Sequence, residues 1–104
     1  MLTLREGWTR TPTEGNGAIY RASFDWPNDA APTAALVIEG MTEVIRVKLN
    51  GQDLGLRFSF PFRFDLGAAL RPGRNALELE HIERYTFTSK LGTIRIVPYQ
   101  ALEI

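Results

Sequence analysis

Glu39, Glu43, Glu78, Glu80 and Glu83 are the residues whose spacing invites comparison with a catalytic pair, because hydrolysis of a glycosidic bond takes two carboxyl groups facing each other across a cleft. Their placement argues against that chemistry. They recur at alternate positions of extended segments, and such side chains project side by side from the solvated face of a sheet. His81 is the sole histidine, and no Gly-x-Ser-x-Gly nucleophile turn accompanies it. The chain also has no cysteine, which removes a thiol nucleophile, thiolate zinc sites and iron–sulfur clusters. It therefore reads as a non-catalytic domain.

A second set of residues fits binding. Recognition of a saccharide takes aromatic rings that stack on the apolar faces of pyranose rings, and a few guanidinium or amide donors for the hydroxyls. Arg57, Phe58 and Phe60 lie in one irregular stretch and Arg84, Tyr85, Phe87 and Lys90 in another. Arg84, Tyr85 and Phe87 would supply a platform with bidentate donors, Arg57 and Phe58 a facing wall, and His81 a hydrogen bond from a strand end. Trp26, in a Pro-Asn-Asp loop, is the corresponding residue elsewhere in the chain. Each ring also has a plainer use, as a plug over an open end of the core.

The elements that must position these groups are strands. Hydrophobicity alternates with a period of two, and Gly, Pro and Asn punctuate it at short intervals, which predicts an antiparallel sandwich or barrel. Strands are predicted over 19–24, 34–39, 43–49, 52–54, 62–64, 75–82 and 92–99. Tyr20, Ala22 and Phe24 share one face of the first, and Ile45, Val47, Leu49, Leu77, Leu79, Ile94 and Ile96 point inward from the later ones. Asn50-Gly51 is the strongest hairpin signal, since a two-residue type I′ turn needs positive φ at both central positions. Asp65 is expected to cap one helical turn over 66–70, stopped by Arg71-Pro72-Gly73. Residues 1–18 read as a lead-in with one edge strand around 2–8. If successive strands alternate in direction, loops 25–33, 50–51 and 66–74 gather at one end. Loops 40–42, 55–61 and 83–91, which hold the Arg57 and Tyr85 sets, gather at the other.

Composition bounds the class. A chain of 104 residues is one domain, 1–104, about the size of a minimal sandwich. Lys and Arg number 12 against 12 Asp and Glu, which argues against a non-specific nucleic-acid or anionic-membrane binder and favours an uncharged partner such as a neutral oligo- or polysaccharide. No segment has the ~18 consecutive apolar residues of a membrane span, and the first residues contain no apolar signal-peptide core.

Taken in order, several motifs carry a resemblance. They are Tyr20-Arg21-x-x-Phe24 with Pro27, Leu36-Val37-Ile38-Glu39-Gly40, and Val47-Lys48-Leu49-Asn50-Gly51-x-x-Leu54-Gly55. Pro61-Phe62-Arg63-Phe64-Asp65-Leu66, Leu70-Arg71-Pro72-Gly73-Arg74-Asn75-x-Leu77 and Gly92-Thr93-Ile94-Arg95-Ile96-Val97-Pro98 follow. Over residues 19–99 the chain resembles the sugar-binding β-sandwich domain of family 2 glycoside hydrolases and related galactose-binding-like modules. The resemblance implies an all-β jelly-roll sandwich without catalytic residues. It also implies a catalytic domain in the parent chain, a carbohydrate ligand, and a secreted or periplasmic setting. The alternative within the same resemblance is a structural domain that packs on a catalytic domain or partner chain without touching free sugar. No cofactor is expected. Asp25, Asp29, Glu39 and Asp65 are the acids available to the structural calcium such modules often carry, but no Asp-x-Asp spacing marks a site.

Overall fold

The computed structural model describes residues 2–4, 7–13, 17–27, 33–39, 44–57, 62–82 and 92–99. Among them the chain forms nine strands: β1 (Leu2–Leu4), β2 (Thr9–Pro12), β3 (Ala18–Trp26), β4 (Thr33–Glu39), β5 (Val44–Leu49), β6 (Gln52–Arg57), β7 (Phe62–Asp65), β8 (Gly73–Ile82) and β9 (Thr93–Tyr99). The alternation in the sequence is what builds them. Along β3, Ala18, Tyr20, Ala22, Phe24 and Trp26 are buried; along β8 the buried positions are Asn75, Leu77, Leu79 and His81.

The strands form two antiparallel sheets, one in the order β1-β9-β4-β7 and the other in the order β2-β3-β8-β5-β6. Each sheet has one apolar face, and these must close on each other to leave water. Leu36, Ile38, Phe62, Phe64, Ile94 and Ile96 of the first meet Tyr20, Phe24, Ile45, Val47, Leu49, Leu77 and Leu79 of the second in one continuous core. The protein is an all-β antiparallel sandwich.

The end that holds the Asn50-Gly51 turn is tied by side-chain amides. Asn50 (φ 52°) and Gly51 (φ 82°) make the positive-φ turn that the sequence predicts between β5 and β6. The Asn50 amide nitrogen donates to the Ala69 carbonyl at 2.8 Å and to Asn75 Oδ1 at 2.9 Å, while its Oδ1 accepts from the Ala76 amide at 2.9 Å. Asn75 is wholly buried. Its Nδ2 donates to the carbonyls of Arg71 and Gly73 at 2.8 and 3.0 Å, and its Oδ1 also accepts from the Arg71 amide at 2.9 Å. Every donor and acceptor of this amide is thereby used, as burial demands.

Three local expectations are corrected. The lead-in is two edge strands instead of one, because the chain turns at Gly7 and leaves β1 on one sheet and β2 on the other. Trp8 fastens that corner by donating its indole N–H to the Leu4 carbonyl at 3.1 Å. Strand β6 continues to Arg57, past a register shift opposite Val47 and Lys48 that Gly55 (φ 109°) accommodates. Asp65 ends β7 and does not cap the turn that follows. That turn is a 3-10 helix, Gly67–Ala69, whose cap position is Leu66, with no side-chain hydrogen bond.

The amide pair generates a stability test. Asn75→Ala removes the partner of three backbone groups in part-buried hydrogen bonds, and Asn50→Asp sets an acceptor oxygen against two acceptors; each is expected to cost about 2–4 kcal/mol in urea unfolding. The double variant should lose less than the sum of the two, because both changes break the same network.

Candidate functional site

Of the seven residues singled out for binding, the structure describes three, Arg57, Trp26 and His81. Phe58, Arg84, Tyr85 and Phe87 lie outside the described residues, as do Phe60, Met41 and Lys90. Arg57 is exposed at the end of β6, where its guanidinium carbon stands 5.2 Å from the centroid of the Phe64 ring. This cation–π contact ties the edge of one sheet to the edge of the other. Its Nη1 donates to the Leu56 carbonyl at 3.1 Å.

Trp26 and His81 go to the interior. Trp26, expected in a loop, is the last residue of β3 opposite Gly73 and is only 7% exposed. His81 sits between Ala18 and Ile45 of the neighbouring strands and is 1% exposed. Both continue the inward parity of their strands, Trp26 after Phe24 and His81 after Leu79. As they stand they offer no face to a ligand, and Trp26 is core.

The glutamates divide between the two outer faces. Glu39 pairs with Arg95 on the outside of the four-stranded sheet. Glu78 and Glu80 lie on the outside of the five-stranded sheet, so the core separates them from Glu39. Glu43 and Glu83 lie outside the described residues. Of the acids available to calcium, Asp25 is on the five-stranded sheet and Glu39 and Asp65 on the other. Asp29 is not among the described residues. Among those residues no three His, Asp or Glu side chains are grouped to hold a metal ion, and no helix is long and apolar enough to cross a membrane.

What the fold does assemble is a slot of about 710 Å³ on the outer face of the five-stranded sheet, within the range of ~300–1,000 Å³ typical of small-ligand sites. Three cross-strand rows make it. In the first, Arg21 stands opposite Glu78 and Glu78 opposite Lys48; in the second, Ser23 stands opposite Ala76; in the third, Arg74 lines the slot and its strand partner Asp25 lies outside the lining. The small side chains of the middle row form a floor between taller charged rows, which lie about 13 Å apart along the strands. Gly51 closes one end and Gly7 and Thr9 the other.

One wall is held in place. Arg21 Nε donates to Glu78 Oε1 at 2.9 Å, and its Nη1 approaches Thr11 Oγ1 at 3.5 Å. Lys48 and Arg74 line the slot without such a partner: among the described residues neither has a carboxylate oxygen within 4.0 Å. Among the described residues the lining thus offers cationic donors, one carboxylate and the hydroxyls of Ser23 and Thr9, and no aromatic ring. Chemically it can hydrogen-bond a polar, hydroxyl-rich ligand.

The sequence held the pattern of this slot, large-small-large at Arg21, Ser23 and Asp25 and again at Arg74, Ala76 and Glu78. The two runs become one site only through the β3–β8 register, which nothing local encodes.

No protein-family model matches the chain, and no curated protein matches it. Solved structures do. A rhamnosidase from Novosphingobium sp. PP1Y is 28% identical over 64% of this chain and 6% of its own length, with a TM-score of 0.55. A Bifidobacterium dentium β-glucuronidase, solved with coumarin-3-O-glucuronide, is 33% identical over 62% of this chain and 11% of its own, with a TM-score of 0.54. A β-glucuronidase from an uncultured Clostridium sp., 18% identical with a TM-score of 0.57 over 79% of this chain and 19% of its own, shows the fold alone. The chain therefore matches a small part, 6–19%, of large glycoside hydrolases.

The burial of Trp26 has a direct readout. In a Trp8→Phe background its emission should be blue-shifted, resist acrylamide quenching and stay unchanged on adding saccharides, and Trp26→Ala should destabilise the domain by about 3–5 kcal/mol. A ligand-dependent emission shift would return Trp26 to the surface.

Proposed function

We propose that this chain is a non-catalytic accessory domain of a glycoside hydrolase-type enzyme that binds saccharide on the outer face of its five-stranded sheet. The observation that carries the reading is the slot itself. Its floor is too low to be filled by the sheet's own side chains, and its rim is made of hydrogen-bonding groups, the surface a polyhydroxylated ligand requires. The matches to small parts of much larger hydrolases support an accessory role and a catalytic domain in the parent chain.

The competing reading, a purely structural domain, predicts a contiguous apolar face for a partner to cover. Among the described residues only Ile82, 39% exposed, is a large apolar side chain open to solvent. The binding reading is favoured on that ground. Phe58, Arg84, Tyr85 and Phe87, which lie outside the described residues, remain in this proposal as a second contact.

Retention in affinity electrophoresis, with a glycan array to define the panel, tests the proposal. Arg74→Ala with Lys48→Ala is expected to weaken retention about tenfold or more, from the loss of two charge-assisted donors. Tyr85→Ala reports separately on the loop contact. Absence of retention on every saccharide, with the fold intact, would refute sugar binding.

A further inference from the structure

The slot carries more than a general affinity for hydroxyls. We infer that it selects an acidic saccharide, a chain of sugar rings bearing carboxylates, and that Lys48 and Arg74 are the groups that select it. This rests on the saccharide reading above.

The charge of the lining is the starting point. Among the described residues of the lining, Arg21, Lys48 and Arg74 face one carboxylate, Glu78, an excess of two positive charges although the whole chain is neutral. Arg21 and Glu78 satisfy each other. The other described acids on this face do not cancel the remainder. Asp53, opposite Lys48, is bound to Arg46 at 3.1 Å. Asp25, opposite Arg74, is outside ion-pair distance of it and does not line the slot. Glu80 lies one row further out, opposite Ile19 and Arg46. Lys48 and Arg74 are therefore left as donors on either side of the Ser23–Ala76 floor, positioned to receive anionic groups from outside.

Spacing and composition then choose among anions. Two cations set in rows about 13 Å apart suit carboxylates spread along an oligosaccharide better than the dense charge of a nucleic-acid backbone. Base stacking would need aromatic platforms, and none lines the slot among the described residues. The Ser23 and Thr9 hydroxyls suit the hydroxyls of a sugar ring.

The test titrates the intact protein with oligogalacturonate, oligomannuronate and oligoglucuronate, each beside its neutral methyl ester, and with polyphosphate as a control polyanion. At least one acidic chain should bind about tenfold more tightly than its ester, and added salt should erode the difference. Lys48→Gln and Arg74→Gln should each weaken the acidic chain about fivefold to tenfold, and Lys48→Arg should retain it. Equal binding of acid and ester, or binding only of neutral glycans on the array, overturns the acidic preference and leaves the saccharide reading standing. Failure with every saccharide overturns both. Polyphosphate binding as tight as the acidic sugar overturns the carboxylate assignment, as does acidic-chain binding that neither glutamine variant weakens.

Discussion

The bond between the side chains of Asn50 and Asn75 is the interaction on which the slot-bearing face depends. Asn50 holds the turn between β5 and β6, Asn75 opens the buried face of β8, and the Ala69 carbonyl bound by Asn50 belongs to the 3-10 turn that brings the chain from one sheet to the other. The link reaches the slot directly. Asn50 exchanges hydrogen bonds with both backbone groups of Ala76, through its own amide to the Ala76 carbonyl at 2.8 Å and through its side chain to the Ala76 amide. Ala76 is the floor of the slot. A strand shifted by one residue presents its opposite face to solvent, so a slip of β8 against β5 would point Leu77 outward and take Glu78 and Arg74 out of their rows. The amides hold that register where the turn begins.

The same logic separates stability from function in this fold. The inner faces are committed to the core, and they absorb even Trp26 and His81, whose residue types suggested ligand contact. The outer faces carry charge, and most of it is locally balanced: Arg21 with Glu78, Arg46 with Asp53, Arg95 with Glu39. Exposed pairs of this kind contribute little to stability. Their effect here is to leave Lys48 and Arg74 conspicuous as cations without a carboxylate partner among the described residues, beside the lowest part of the surface.

Most of the architecture was legible in the residues, because it rests on two local rules. Period-two alternation marked β3, β4, β5, β7, β8 and β9 to within two residues, and Asn50-Gly51 marked the turn. The misses have physical causes. Trp26 was assigned to a loop because Pro27-Asn28-Asp29 reads as a break, yet the strand keeps its pairing with β8 up to the residue before the proline. Asp65 has the side chain of a helix cap but is still paired with Ala35 in the sheet, so its backbone remains extended. The slot was out of reach for a different reason. Its rows join residues more than fifty positions apart, Arg21 to Glu78 and Ser23 to Ala76, and neither Ser nor Ala announces a site. Whole-chain charge points instead to an uncharged partner, since a neutral total conceals the local excess of cations among the described residues of the slot.

The most direct measurement of where ligand meets this domain is a residue-resolved map of amide chemical shifts on addition of a binding oligosaccharide. A slot on the five-stranded sheet predicts shifts centred on the amides of Ser23, Gly51, Ala76 and Glu78, fading along β3 and β8 toward Ala18 and Ile82. Shifts confined to residues 58–60 and 83–91, with the slot amides unmoved, would contradict it.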